Sequence, residues 1–441
     1  MCQVSQDIQK NYLGEMEDSS KLITTHVNFI RKDVISEEAK LLGDAIYQHL
    51  RNLIYEAGKT DTCYKVTELL RVGSYHEQTK INSPDEFDFI AVLDQMSEPG
   101  MVKVQTLDKD GVNMHLRFDH EHVKLIDPDV NWSWDKKPAT EQLLERFLRN
   151  LVNTLLKDVK KVPYVSLAYT YYEADFIQLP PINGIELSVR YREAAVPNLI
   201  FEFMYKGKKI PVDLTLGFRY KNWNECYDIE EAPVQEIGKS VYEKGSVLFI
   251  AHRYGFRLTF TETEMEYVRD KVLGEHKILY MYLKYFNGKY GEHEFLKKAE
   301  YLPFSSYMLK TICIYHDQRC KQEVKGKNEC LKDILAIMEE SVTSGYLQSS
   351  EMIKDTKVGY LPSIFQVKKN LFREEFRTVD LLTAFRKKMI LDLKTVHLTG
   401  RKWKNVNHML EEAHDAICKT ADWICSQTWS DSKSLLLVKP E

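Results

Sequence analysis

Two apolar periodicities divide this 441-residue chain, and their order limits the folds open to it. From Lys59 to about Thr261 the apolar residues fall mainly in short runs or alternate, as strands require; after that they recur at helical spacing. A strand-rich stretch followed by a run of helices is an α+β arrangement. The pattern predicts a mixed-sheet lobe, a helical C-terminal lobe and a cleft between them. The expected division is a segment 1–35, a core lobe 36–260 that includes one long helix, and a helical lobe 261–441. Strands are expected in VTELLRVGSY, FDFIAVLD, SLAYTYYEADFI, IELSVRY, NLIFEFMYKG and KIPVDLTLGF. The long helix should start at the N-cap residue Ser36, carry Ala39, Leu42, Ile46, Leu50, Leu53 and Ile54 on one face, and end at Gly58. Further helices fit 140–161, 263–285, 305–315, 329–341, 378–393 and 402–424.

Charge narrows the partners. Lys and Arg number 61 against 65 Asp and Glu, a net charge of -4, so any nucleic-acid surface must be a local patch. The 8 cysteines are scattered without a Cys-x-x-Cys pair, which fits reduced thiols. The first residues hold no apolar run of signal-peptide length, and no stretch approaches the ~20 apolar residues of a membrane span. The expectation is a cytoplasmic protein with no membrane partner.

The chemistry concentrates in three carboxylates. Glu86 and Asp88 are two apart at the start of FDFIAVLD, so in a strand both point to one side while Phe87 and Phe89 point to the other. Asp213 sits between Val212 and Leu214 in a second strand-like run. If those strands are neighbours the three converge, and converging carboxylates need a hard cation to neutralise them. Two magnesium ions on the order of 4 Å apart could serve phosphoryl transfer there. Upstream, Gly73 lets backbone approach a triphosphate and Ser74 can hydrogen-bond to it.

The segment GSYHEQTKINSPDEFDFIAVLD resembles the catalytic segment of the cGAS-like receptors, the Mab-21 family nucleotidyltransferases related to cyclic GMP-AMP synthase. KIPVDLTLGF resembles their third-carboxylate strand. The resemblance implies Glu86, Asp88 and Asp213 as catalytic metal ligands and Gly73 and Ser74 as the phosphate turn. GFRLTF is similar to the segment contacting the acceptor base, which implies Arg257 and Thr259. PFSSYMLK is similar to the segment whose Ser holds triphosphate and whose Tyr stacks on a base, implying Ser305, Ser306 and Tyr307. HKILYMYLK looks like the helix supplying a phosphate-binding lysine, here Lys277.

The implied function is a nucleic-acid-activated synthase making a cyclic dinucleotide such as 2'3'-cGAMP from ATP and GTP, as an innate immune second messenger. Two Mg2+ ions are expected, with Mn2+ as the substitute. Two alternatives stay open: a synthase of linear 2'-5' oligonucleotides, and a catalytically silent Mab-21-type scaffold. The vertebrate enzyme's zinc ribbon would fall in TETEMEYVRDKVLGEH, which has no cysteine, and no long basic N-terminal tail is expected. No zinc is therefore expected. Double-stranded RNA is the expected activator ahead of double-stranded DNA, with a ligand-induced dimer as a further expectation. Cys313, His316, Cys320 and Cys330 are spaced irregularly for structural zinc and read as buried thiols and a surface histidine. Lys157, Lys160, Lys161, Arg386, Lys387 and Lys388 read as solvated helix ends, and RKWKN likewise.

Overall fold

The computed structural model describes residues 19–60, 62–107, 113–118, 176–195, 198–222, 232–252, 255–292, 302–320, 325–343 and 379–398, with a few single residues between. The chain divides into two compact units, residues 31–271 and residues 1–30 together with 272–441. Helix α1 (Ser19–Arg31) leads into the first unit. That unit contains α2 (Glu37–Thr60), β1 (Val66–Val72), the short α3 (Gly73–His76), β2 (Phe87–Leu93), β3 (Val102–Leu107) and β4 (Asn113–Phe118). It continues through β5 (Ile177–Gln178), β6 (Ser188–Ala195), β7 (Asn198–Tyr205), β8 (Lys208–Tyr220), α4 (Gln235–Lys244), β9 (Val247–His252), β10 (Gly255–Thr259) and α5 (Thr261–Asp270). The second unit holds α6 (Gly274–Gly291), α7 (Ser306–Cys320), α8 (Lys327–Thr343) and α9 (Val379–Leu398).

The strands of the first unit form one sheet in the order β3-β4-β10-β9-β8-β7-β6-β5, with β2 also pairing β8 and β1 pairing β2. β2 runs parallel to β8 and every other described pair is antiparallel, so the fold is mixed α+β as the pattern predicts. Phe87, Phe89, Ile90, Ala91, Val92 and Leu93 are all buried, the continuous apolar run of a strand covered on both faces. Asp88 is the polar break in it. In β8, Ile210, Val212, Leu214, Leu216, Phe218 and Tyr220 are buried, while Pro211, Asp213, Thr215 and Arg219 on the other face stay half-open.

Helix α2 starts as expected: the Ala39 backbone N–H donates to Ser36 Oγ at 3.1 Å. Ala39, Leu42, Ala45, Ile46, Leu50, Ile54 and Ala57 bury one face. The helix continues past Gly58 to Thr60. At Gly58 the returning chain instead passes close by, since a Cβ there would lie 3.1 Å from Lys65 Cα.

The helix expected over 263–285 is two helices, α5 and α6. Leu273 is extended (φ -57°, ψ 140°), and its N–H donates to Asp317 Oδ1 at 2.9 Å. That bond, from a residue on α7, stabilises the non-helical conformation at the start of α6. In the second unit half of the residues of α6 are buried, and the helix carries polar anchors. Asn287 bonds both backbone groups of Phe304, at 2.6 and 3.0 Å, and Tyr282 Oη lies 2.7 Å from His397 Nε2. Arg386 is buried, donating from Nε to the Pro303 carbonyl at 2.6 Å, so it is a packing residue rather than a solvated helix end. Most of SLAYTYYEADFI, the helices expected at 140–161 and 402–424, RKWKN, and Lys157, Lys160 and Lys161 lie outside the described residues, single positions apart. Among the described residues no helix is long and apolar enough to cross a membrane.

Candidate active site

The parallel pairing of β2 with β8 sets Asp88 directly opposite Asp213. Glu86 lies two residues before Asp88, just ahead of the strand, and shares its side. Glu86, Asp88 and Asp213 each offer an oxygen within 4.8 Å of the other two. Glu86 is exposed, and the two aspartates are half-buried. Burial first, then the charges of Glu86 and Asp213, push the Asp88 carboxyl up to about 7. A carboxylate so disfavoured as an anion marks a site where positive charge would be bound favourably.

The glycine turn belongs to this cluster. Val72, the last residue of β1, pairs with Asp88, and the chain then turns at Gly73 with φ +78°. A Cβ at Gly73 would fall 1.9 Å from Asp88 Oδ2, so both the backbone angle and the space require glycine. Ser74 is half-buried in α3, and its carbonyl accepts the Thr79 N–H at 2.9 Å. The turn is tied to α2: the Tyr75 hydroxyl donates to the Ala39 carbonyl at 2.9 Å, and Arg71 pairs with Asp44 at 2.6 Å. The Tyr75 ring also packs against Phe87, centroids 4.7 Å apart.

Lys80 was not singled out in the sequence, yet it pairs with this cluster through Glu86. Only 9% exposed, it lies 2.9 Å from Asp85 Oδ1 and 3.2 Å from Glu86 Oε2. Burial pulls its ammonium down, but Asp85 and Glu86 outweigh that and hold it above its ordinary value. Its signal was available, since it is the one Lys or Arg between Gly73 and Asp88. Buried Glu77 accepts the Thr79 hydroxyl at 2.5 Å in the same segment.

Register places Arg257 and Thr259 on the carboxylate face. Arg257 pairs with Ile250, which pairs with Gly217; Thr259 pairs with Leu248, which pairs with Arg219. Residues 213, 217 and 219 alternate onto one side of β8, so all of these share it. Thr259 Oγ1 is 2.7 Å from Thr261 Oγ1. Arg219 locks that face through paired bonds to Glu68 at 2.5 and 2.6 Å and to Glu262 at 3.0 Å.

The remaining candidates belong to the second unit. Lys277 is in the first turn of α6, its N–H donating to the Leu273 carbonyl. Ser305 caps α7, accepting the Met308 N–H at 3.1 Å, and the Ser306 carbonyl accepts the Tyr280 hydroxyl at 3.3 Å. Tyr307 Oη is 3.4 Å from Ser363 Oγ, and Lys310 Nζ is 5.9 Å from the Tyr307 ring centroid.

The mixed sheet with its paired aspartates defines a nucleotidyltransferase-like fold, and residues 75–269 match the family model described as the Mab-21 protein nucleotidyltransferase domain. That stretch, less than half of the chain, is similar to the Mab-21 nucleotidyltransferases. The chain is 23% identical over 343 residues to cyclic GMP-AMP synthase of Mus musculus, a match covering 73% of this chain and 61% of that protein. The chain thus spans less than two thirds of the mouse enzyme. Among solved structures, E. coli MS115-1 CdnC with ATP is similar over 92% of this chain and 99% of that one, with 11% identity and a TM-score of 0.47; at that score the likeness bears on no residue.

Proposed function

We propose that the chain joins ATP and GTP into a cyclic dinucleotide of the 2'3'-cGAMP kind, as a cytoplasmic innate immune signal switched on by a nucleic-acid duplex. The observation that carries this reading is the convergence of Glu86, Asp88 and Asp213 beside a turn that only glycine fits. The donor set is all carboxylate oxygen, the chemistry Mg2+ prefers, with Mn2+ as substitute. Glu86, Asp88 and Asp213 would hold two such ions, which supply charge neutralisation for a triphosphate and for the oxygens of an in-line displacement.

The chain's own residues then have defined tasks. Gly73 lets the backbone close on the triphosphate and the Ser74 hydroxyl donates to it. An Asp213 carboxylate oxygen takes the proton of the attacking ribose hydroxyl. The hydroxyl oxygen bonds to the α-phosphorus of the donor, the α-phosphorus bond to the bridging oxygen breaks, and pyrophosphate leaves. Lys80 holds Glu86 in place through its ion pair. Arg257 and Thr259 contact the acceptor base, Lys277, Ser305 and Ser306 hold phosphate, and Tyr307 stacks on a base. A second transfer, after the linear dinucleotide turns over, closes the ring.

Duplex binding along α2 fits a gate, because Tyr75 and Arg71 connect α2 to the Gly73 turn. Double-stranded RNA is the expected activator ahead of double-stranded DNA, with two chains assembling on it. The test incubates the full chain with labelled ATP, GTP, CTP and UTP plus Mg2+, alone and with each duplex, and resolves phosphatase-resistant products. A cyclic product in the RNA arm is expected. A ladder of linear 2'-5' oligomers would replace this reading with linear synthesis. Folded protein that neither turns over nor binds nucleotide would make it a scaffold.

A further inference from the structure

Four metal-ligand side chains meet in the second unit, far in sequence from the carboxylates. His276 comes from the first turn of α6, His316 and Cys320 from α7, and Cys330 from the first turn of α8. Each offers a nitrogen or sulfur, and these four atoms all lie within 4.8 Å of one another. All four are buried, at 1%, 2%, 5% and 1% exposure respectively.

Three observations at this cluster point to a bound ion. First, His316 Nε2 has no hydrogen-bond partner among the described residues, a costly state for a buried imidazole unless something binds it. Second, His276 Nδ1 lies 2.6 Å from Asp317 Oδ1. A carboxylate on one ring nitrogen fixes the tautomer and leaves Nε2 for an ion, the usual outer partner of a zinc-bound histidine. Third, Cys320 Sγ and Cys330 Sγ are 3.6 Å apart. A disulfide needs about 2.05 Å, whereas two thiolates on one tetrahedral zinc, each at about 2.3 Å, stand roughly 3.8 Å apart.

The helices explain why these residues can meet. His316 and Cys320 are four apart on α7 and share one face. The same Asp317 that orients His276 also accepts the Leu273 N–H, so the break before α6 and the orientation of this histidine have one cause. Lys327 and Glu275 pair at 3.3 Å beside the cluster, joining α6 to α8 a second time. Cys313, buried on the same helix, is outside the set.

We propose that His276, His316, Cys320 and Cys330 bind one structural zinc ion that ties α6, α7 and α8 together. Two imidazoles and two thiolates with no open position are the donor set of a structural rather than a catalytic zinc. A tetrahedral zinc spaces such atoms roughly 3.3–3.8 Å apart, so atoms within 4.8 Å of one another need close by no more than about 1.5 Å. The site draws three of its four ligands from outside the segment where a zinc ribbon would be inserted. It reverses the expectation of no zinc and does not depend on which nucleotides the chain joins.

The test uses untagged full-length protein expressed in zinc-supplemented medium. Elemental analysis should give about one zinc per chain. The variant Cys320→Ser with Cys330→Ser should hold less than about a tenth of that, while Cys313→Ser and Glu86→Ala with Asp88→Ala should keep it. Losing ligands can unfold the unit, so Co2+ exchange into the wild-type protein gives a second readout. Thiolate-to-cobalt charge-transfer absorption and tetrahedral ligand-field bands are expected. Folded wild-type protein without zinc and without those bands overturns the proposal. So does zinc that survives in the double serine variant and disappears with Glu86 and Asp88.

Discussion

The carboxylate cluster on the sheet and the histidine–cysteine cluster among the helices are similar in extent but opposite in kind. Glu86, Asp88 and Asp213 are oxygen donors open to solvent on one side, and Asp88 is driven toward its protonated form. His276, His316, Cys320 and Cys330 are nitrogen and sulfur donors closed off from water. An open, self-repelling oxygen site suits an ion that arrives with a phosphate substrate, and a closed nitrogen–sulfur site suits one that stays. On the proposed assignments, donor type and exposure together separate chemistry from scaffolding.

Metal removal should separate the two most sharply. A brief EDTA treatment is expected to cut nucleotide turnover by at least about a thousandfold, with Mg2+ restoring it and little change in thermal melting. Melting that collapses while turnover persists would reverse the assignment of roles. The next largest effect is expected at the turn. Gly73→Ala puts a methyl into the Asp88 carboxylate and an alanine at φ +78°. Turnover should drop about a hundredfold and stability by about 1–3 kcal/mol, read by kinetics and denaturant melts. Wild-type behaviour would show that the turn is looser than its geometry.

Protons should compete with metal at one cluster only. The Asp88 pKa is raised from 3.8 to about 7, so the native state keeps a proton that the unfolded chain has already lost. That contribution stabilises metal-free protein below about pH 4 and is lost as pH rises through about 7. Magnesium must displace the same proton, so its affinity should fall up to tenfold per pH unit below about 7 and level off above it. Calorimetric titration at several pH values checks this; a flat profile would mean Asp88 is already ionised. The smallest effect is Ser36→Ala, which removes the α2 cap and should cost about 1 kcal/mol in a denaturant melt.

The carboxylate site was legible because its determinants are local. Alternation put Glu86 and Asp88 on one side of a strand, and the glycine turn stood shortly before it. Their approach to Asp213 needed only that two apolar strands be neighbours, and β2 and β8 are. The histidine–cysteine cluster was not legible, because spacing within 313–330 omits the ligand that completes it: His276 arrives from another helix, oriented by Asp317, 41 residues away. The break between α5 and α6 was hidden for the same reason, since the bond that stabilises it comes from 44 residues downstream. Lys80 and Arg386 show that a long cationic side chain does not announce its burial. Both became packing residues through partners that tertiary structure supplied.

The most direct test of the central assignment is pyrophosphate release from ATP and GTP by wild-type protein and by Asp213→Asn, with Mg2+ and with each nucleic-acid duplex in turn. Asparagine keeps the shape of the side chain and removes its charge and proton affinity. Wild-type protein is expected to release pyrophosphate, the variant at least about a thousandfold less, with matching thermal melts. An Asp213→Asn protein that releases pyrophosphate at the wild-type rate would contradict it.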